Sequence, residues 1–356
     1  MGQAALTVHF EPLPALSTLE PRWKAVEAQA APTFFTGWTW IGSWLRATHA
    51  RPELLSVRDG DGQDVALALI GKSLDKRPLG RIATLRLNEA GDPAADRAFI
   101  EYNAPLCRSG QDDAVAVAIA AALAKRRDWR ALRLSGVVPG DPLLTALSAR
   151  RRRLIDSAPA YHVDLGKVRD AGGDYLSLLS ANTRSQIKRS AKDYPAAAQA
   201  IRATDALTAA LWLEQMQAFN SGRHADNAWD EPVFRTFAGE IVATGMADGK
   251  VDLLRVDAGG MLIGFLITFL SGGRAMNYQS AFAEPVGPKS KPGLMAHAAA
   301  VAHYAQTGCD IYSLLAGKDR YKQSLSTGSD LLEWWMLERF SPALEAEYWA
   351  RRMTHR

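Results

Sequence analysis

Apolar positions recur along the chain with two spacings, close to two over short runs and close to 3.6 over longer ones, which predicts alternating strands and helices. In the first half, residues 6–10 alternate as a strand, 16–30 follow a helical pattern, and a second helix carries Trp38, Trp40 and Trp44. Strand-like runs cover 54–58, 65–70 and 82–87, and Asp59-Gly60-Asp61-Gly62 supplies a hairpin turn between the first two. An alanine-rich helix over 113–125 and a strand over 131–135 follow.

The alternation resumes at 161–165, after which Gly166 and the Gly172-Gly173 pair mark a boundary. Asp174 is placed to cap a helix reaching about residue 194. Helical patterns at 205–219 and 231–244 lead into a meander of strands, 251–256, 261–270 and 274–282, separated by Gly-containing turns. A helix over 292–307 and a strand over 310–315 come next. Both halves therefore run helices, strand meander, helix, strand, which predicts one α/β fold with mixed sheets, duplicated. The expected division is 1–166, 167–342 and a basic tail, 343–356.

At 356 residues the chain exceeds what a single hydrophobic core organises. Its 47% hydrophobic and 22% charged residues fit a soluble globular protein. The first thirty residues lack a basic segment followed by an apolar one, and no apolar run is long enough to cross a bilayer, so a cytoplasmic location is expected. Cys107 and Cys309 stand in apolar stretches without metal-ligand spacing and read as buried thiols; no metal is expected. The net charge of +4 is small for this length and excludes a dedicated DNA binder while allowing local basic patches. P-loop, zinc-hydrolase and α/β-hydrolase motifs are absent from the sequence.

Three segments carry candidate chemistry. In Lys289-Ser290-Lys291-Pro292-Gly293-Leu294, proline opens a helix that Gly308 ends, and lysines crowd its positive pole. That conflict is relieved if an anion such as a pyrophosphate binds there through Lys289, Lys291, Gly293 and Leu294; otherwise the segment is a solvated loop. In Ala316-Gly317-Lys318-Asp319-Arg320-Tyr321-Lys322, a strand runs into glycine and a short polar helix, where α/β proteins place sites. Cations at Lys318 and Lys322 favour the Tyr321 phenolate, so Tyr321 is a candidate proton donor, or else a packing residue with its hydroxyl in solvent. A third stripe, Arg184, Lys188 and Lys192, opposite Leu176, Leu179, Ile187 and Tyr194, either grips a sugar nucleotide or lipid-linked pyrophosphate or is a solvated face. Arg150–Arg153 follow a helical pattern and complement its C-terminal pole, while Arg351, Arg352 and Arg356 lie in a tail that reads as disordered, or as a contact for an anionic nucleotide or membrane surface.

Residues 184–194, 253–282, Pro292-Gly293-Leu294-Met295 and 316–322 together resemble the CelD/BcsL-type acetyltransferases, a branch of the GNAT superfamily with Fem-like double-domain architecture. Ser221-Gly222-Arg223-His224 with Trp229, and in the first half Trp38 to Trp44 and Glu101-Tyr102-Asn103, are similar to segments of the same family. The resemblance implies two tandem GNAT-like domains and transfer of an acyl group from acetyl-coenzyme A to a sugar or lipid-linked saccharide in bacterial exopolysaccharide assembly. It also implies a peripheral association with inner-membrane polysaccharide machinery. Catalysis then falls to Tyr321 as acid and to Asp319 or His224 as base. Arg184, Lys188, Arg223, Trp229, Tyr278, Gln279, Lys318, Lys322, Glu101 and Tyr102 become substrate contacts. Two rival readings keep the fold: an aminoacyl-tRNA-dependent Fem-like transferase, and a non-catalytic module whose arginines sense an anionic nucleotide such as a cyclic dinucleotide.

Overall fold

The computed structural model describes residues 6–222 and 226–354. Contacts divide the chain into two compact units: unit 1 takes it up to Ser157 and again from Leu332, and unit 2 holds Ala158–Leu331.

Unit 1 begins with β1 (Thr7–Pro12), α1 (Leu16–Glu27), α2 (Trp38–Thr48), β2 (Glu53–Arg58), β3 (Asp64–Arg77) and β4 (Gly80–Leu87). The short β5 (Leu106–Cys107), α3 (Asp112–Lys125), β6 (Ala131–Val137) and α4 (Pro142–Ala146) follow. α2 is apolar nearly all round because it is buried on every side, and the indole N–H of Trp44 is satisfied there. Trp44 Nε1 donates to the Ala95 carbonyl at 2.9 Å, and Trp23 of α1 does the same to Thr36. The hairpin turn forms where expected, with Asp59 Oδ1 accepting from the backbone of Asp61 and Gln63.

β7 (Arg151–Asp164) leads into unit 2, where α5 (Leu165–Asp170), α6 (Ala181–Ala191), β8 (Ala198–Arg202), α7 (Ala206–Asn220) and α8 (Pro232–Ala247) precede the meander. The meander is β9 (Val251–Ala258), β10 (Met261–Ser271) and β11 (Arg274–Phe282). α9 (Pro292–Gln306), β12 (Ile311–Ala316) and α10 (Arg320–Leu325) follow; β13 (Gly328–Glu338) and α11 (Pro342–Thr354) return to unit 1. The sheet of unit 2 runs β7-β12-β11-β10-β9-β8. α5, α6 and α9 cover one face, burying Leu254, Leu266 and Tyr312. α7 and α8 cover the other: Trp212 and Phe219 lie against Phe265, and Phe234 and Phe237 against Tyr278.

The expected duplication holds element by element. In unit 1, β1-α1-α2-β2-β3-β4 leads through α3 to β6 lying parallel to β4; in unit 2, β8-α7-α8-β9-β10-β11 leads through α9 to β12 lying parallel to β11. The expected linear boundaries at 166 and 342 do not describe the units. The strand after the first repeat, β7, closes the unit 2 sheet against β12, and the strand after the second, β13, closes the unit 1 sheet against β6.

Further local differences have simple causes. The helix expected from Asp174 to residue 194 is interrupted: Asp174 caps only a 3₁₀ turn, and Ser180 caps a fresh start for α6. Arg151–Arg153 begin a strand, not a helix end. The tail is ordered as α11, because Leu344 is buried and Glu347 pairs with Arg77 at 3.1 Å, a partner 270 residues away in sequence. Cys107 is buried, its thiol pushed up to about 12 by desolvation, whereas Cys309 is half-buried. Arg223, His224 and Arg356 lie outside the described residues.

Candidate active site

The parallel strands β11 and β12 pair only over Arg274–Met276 and Ile311–Ser313. Beyond Met276 and Ser313 the two strands are no longer paired among the described residues, although β11 continues to Phe282 and β12 to Ala316. Both strands carry irregularities where they part. In β11, Tyr278 is an extra residue between Asn277, opposite Thr268, and Gln279, opposite Ile267. In β12, Leu315 takes a left-handed φ of 57° and its register against β7 shifts between Ser313 and Ala316. Bulges bend and over-twist a strand, so two facing bulges open a wedge at the carboxyl ends of a parallel pair. The wedge leaves strand-edge donors and acceptors for an extended ligand to use. Asn220 Nδ2 already takes the Ser280 carbonyl at 3.3 Å.

Unit 1 has the same short pairing, Thr84–Arg86 of β4 with Ala131–Arg133 of β6, but fills the gap with its own chain. Asn103 donates its backbone N–H to the Gly136 carbonyl at 3.1 Å and its Nδ2 to the Leu87 carbonyl at 2.9 Å, bridging the ends of both strands. Asn88 Nδ2 holds Asn103 Oδ1 and the Ala104 carbonyl, both at 2.9 Å. Gly136, at φ +64°, admits the segment: a Cβ there would come within 2.7 Å of the Ile100 carbonyl. Glu101 and Tyr102 belong to this plug, with Thr33 bonded to the Tyr102 carbonyl at 3.2 Å. The structure gives the segment a closing role in unit 1. Beside the plug, burial pushes the Glu89 carboxyl up to about 7, with Asp96 adding to the rise and Ser135 Oγ donating to it at 2.8 Å.

At the open wedge of unit 2, α9 presents its N-terminus. Ser190, the buried end of α6, anchors it by accepting the Lys291 N–H at 2.6 Å, and Ser290 Oγ donates to Asp193 at 2.5 Å. Pro292 has no N–H, and among the described residues nothing accepts the first-turn N–H groups of Gly293 and Leu294. Two unspent donors at the positive helix pole, with the exposed Lys289 and Lys291 beside them, suit a phosphate. The absent side chain of Gly293 serves packing: a Cβ would lie 3.1 Å from the Phe282 ring.

Tyr321, on α10 directly after β12, is 40% exposed and stacks on His297 of α9 at 5.9 Å. Its phenol is raised to about 12 by desolvation and by Asp319, contrary to the expectation that lysines would lower it. The reason is local: Lys322 turns away to donate to the Ala316 carbonyl at 2.7 Å, while Asp319 opens the same short helix. The phenol therefore stays protonated at neutral pH, the form a proton donor needs, while burial makes it a weaker acid than a free tyrosine.

His297 escaped sequence reasoning. It is buried, its Nδ1 lies 2.9 Å from Tyr312 Oη, and its Nε2 has no hydrogen-bond partner among the described residues. Desolvation, aided by the Lys322 charge, lowers it to about 3, so the ring is neutral. In an alanine-rich helix only the apolar spacing is visible, and a histidine on the buried stripe gives no further signal.

Of the other expected contacts, Trp229 is buried and donates from Nε1 to Gln279 Oε1 at 3.0 Å, on the α7/α8 face of β11. Tyr278 stacks on Phe269 at 4.6 Å. Arg184 Nη1 reaches the carbonyls of Leu176, Ser177 and Leu179 at 3.5 Å, tying α6 to the preceding turn. Lys188 and Lys318 are exposed. Among the described residues no cluster of His, Cys, Asp or Glu is arranged to hold a metal ion, and no helix is long and apolar enough to cross a membrane.

The two units together have the Fem-like double-GNAT architecture. The structure of FemX aligns with 94% of this chain and 99% of its own at a TM-score of 0.57 and 10% identity. The C-terminal domain of a putative lysylphosphatidylglycerol synthetase from Agrobacterium fabrum aligns over 96% of both chains at 0.55 and 11%. L-PGS from Bacillus licheniformis aligns over 94% of this chain and 95% of its own at 0.51 and 9%. At such identities these likenesses establish the fold alone. Residues 181–323, the stretch from α6 to α10 that builds the open wedge, match the family model described as an acetyltransferase (GNAT) domain. No curated protein matches the sequence. The match and the fold together support an acyltransferase enzyme.

Proposed function

We propose that this chain is an acyl-coenzyme A-dependent N- or O-acyltransferase of the CelD/BcsL type, acting on a sugar unit or lipid-linked saccharide in bacterial exopolysaccharide assembly. The observation that carries the acyl-donor part is the wedge between β11 and β12, open where its counterpart in unit 1 is plugged, with the uncapped start of α9 at its mouth. The saccharide acceptor rests on family likeness.

In this reading the strand edges of β11 and β12 hold the extended arm of the donor, and the Gly293 and Leu294 N–H groups with Lys289 and Lys291 hold its pyrophosphate. The donor supplies a thioester. Holding acceptor and thioester together converts an encounter into a local reaction, the larger share of the acceleration. Tyr321 keeps a proton at Oη for the departing sulfur, and Asp319 or His224 takes one from the attacking amine or hydroxyl. An aminoacyl-tRNA donor is the rival within the same fold. Isothermal titration of the full chain with acetyl-coenzyme A tests the proposal: saturable heat is expected, and no heat at millimolar ligand with folded protein overturns it. Retention of charged tRNA on a filter would transfer support to the rival.

A further inference from the structure

Two arginine-rich segments far apart in sequence, Arg150–Arg153 and α11, line one cavity of about 570 Å³ within unit 1. Among the described residues Arg77, Arg150, Arg151, Arg152, Arg153 and Arg352 face it, with Glu338, Glu345 and Glu347, a formal excess of three positive charges. Those carboxylates are committed: Glu338 and Glu347 hold Arg77 at 2.8 and 3.1 Å, and Glu345 holds Arg151 at 2.5 Å and Arg150 at 3.3 Å. The excess is therefore carried by guanidiniums on the cavity wall, and like charges held together around a concave surface raise the local concentration of anions.

Flat groups flank the charge. The Arg151 guanidinium lies over the Tyr348 ring at 4.3 Å and Arg352 over Trp349 at 5.9 Å. Tyr348 and Trp349 are 38% and 55% exposed, a large aromatic surface to leave in water beside bidentate donors. The volume is that of a small-molecule site, and planar guanidiniums match phosphate oxygens in pairs. None of these residues takes part in the unit 2 wedge.

We propose that this cavity is a second, anion-binding site that takes a phosphate ester, supplied either by a soluble nucleotide or by the headgroup of an anionic lipid. The test uses the full chain as wild type, as R150E/R352E, as R352A and as K289A/K291A. Probes are cyclic diguanylate and ATP in titration calorimetry, and vesicles of phosphatidylglycerol with phosphatidylcholine in co-sedimentation. At least one probe should bind wild type and K289A/K291A alike, and at least tenfold more weakly to R150E/R352E, with R352A intermediate. Nucleotide binding identifies a soluble ligand; vesicle binding alone identifies a lipid headgroup. Arg150 and Arg352 are exposed, so the unliganded melting temperature should stay within about 3 °C of wild type; if the double variant does not fold, R352A decides. Wild type that binds neither nucleotides nor vesicles overturns the proposal, and so does undiminished binding in the folded variants.

Discussion

At Tyr321, burial and the Asp319 carboxylate act in the same direction, and both keep the phenol protonated. Tyr321→Phe is expected to lower kcat by about 100-fold while leaving the donor Kd within about twofold, since general acid catalysis acts on the transition state. Wild-type kcat measured from pH 7 to 10 should show no loss that Tyr321→Phe removes; such a loss near pH 10 would mean an unperturbed phenol. His297 and Glu89 are shifted in ways that oppose each other in acid. His297 has its folded pKa far below the ordinary 6.5, so the unfolded chain takes up a proton the folded one refuses, and stability is lost as pH falls from 6.5 towards 3. His297→Phe should remove about 2 kcal/mol of the loss between pH 7 and 5. Glu89 is raised, so its contribution is full below 4.5 and is lost as pH rises through about 7. Glu89→Gln should therefore be the more stable protein at pH 9, by about 3 kcal/mol in urea unfolding. Tyr321 could be singled out in sequence because a strand, a glycine and a polar turn precede it. His297 and Glu89 could not, since burial alone sets their behaviour.

Among the elements, α9 was the most legible, for Pro292 and Gly308 punctuate it at both ends and its observed span ends one residue before the expected one. Its anchoring on Ser190 was not, because that contact joins residues 101 apart. If the α9 N-terminus holds the pyrophosphate, Lys289→Ala/Lys291→Ala should raise the acetyl-coenzyme A Kd about tenfold and leave kcat within about twofold, consistent with two screened ion contacts. The plug of unit 1 was also illegible: Glu101-Tyr102-Asn103 offered polar groups suited to a substrate, and their backbone partners on β4 and β6 carry no side-chain signature. Asn103→Ala strands the Leu87 carbonyl and one N–H of the Asn88 amide, and should destabilise unit 1 by about 3 kcal/mol in denaturant melts without altering donor affinity.

For the whole molecule, the repeated order of helices, meander, helix and strand could be read from periodicity, and the duplicated α/β fold with it. The closing strands could not be assigned, because periodicity says that β7 and β13 are strands and is silent on which sheet each joins. The same limit hid α11, whose glutamates find their arginines far upstream. Ending the chain before Pro342 removes Leu344 and the Glu347 partner of Arg77, leaving a largely buried guanidinium with less compensation. Unit 1 of that variant should lose at least about 3 kcal/mol, seen as an early separate transition in calorimetry.

Of the two equivalent wedges, the one in unit 2 is proposed to receive the donor because the one in unit 1 is stapled shut by its own chain. Backbone amide hydrogen exchange of the full chain, with and without saturating acetyl-coenzyme A, reads both at once. New protection is expected over 277–282 and 293–296, with unchanged exchange over 84–88 and 134–137. Unchanged exchange in β11 and α9, or protection appearing at β4 and β6 instead, would contradict that assignment.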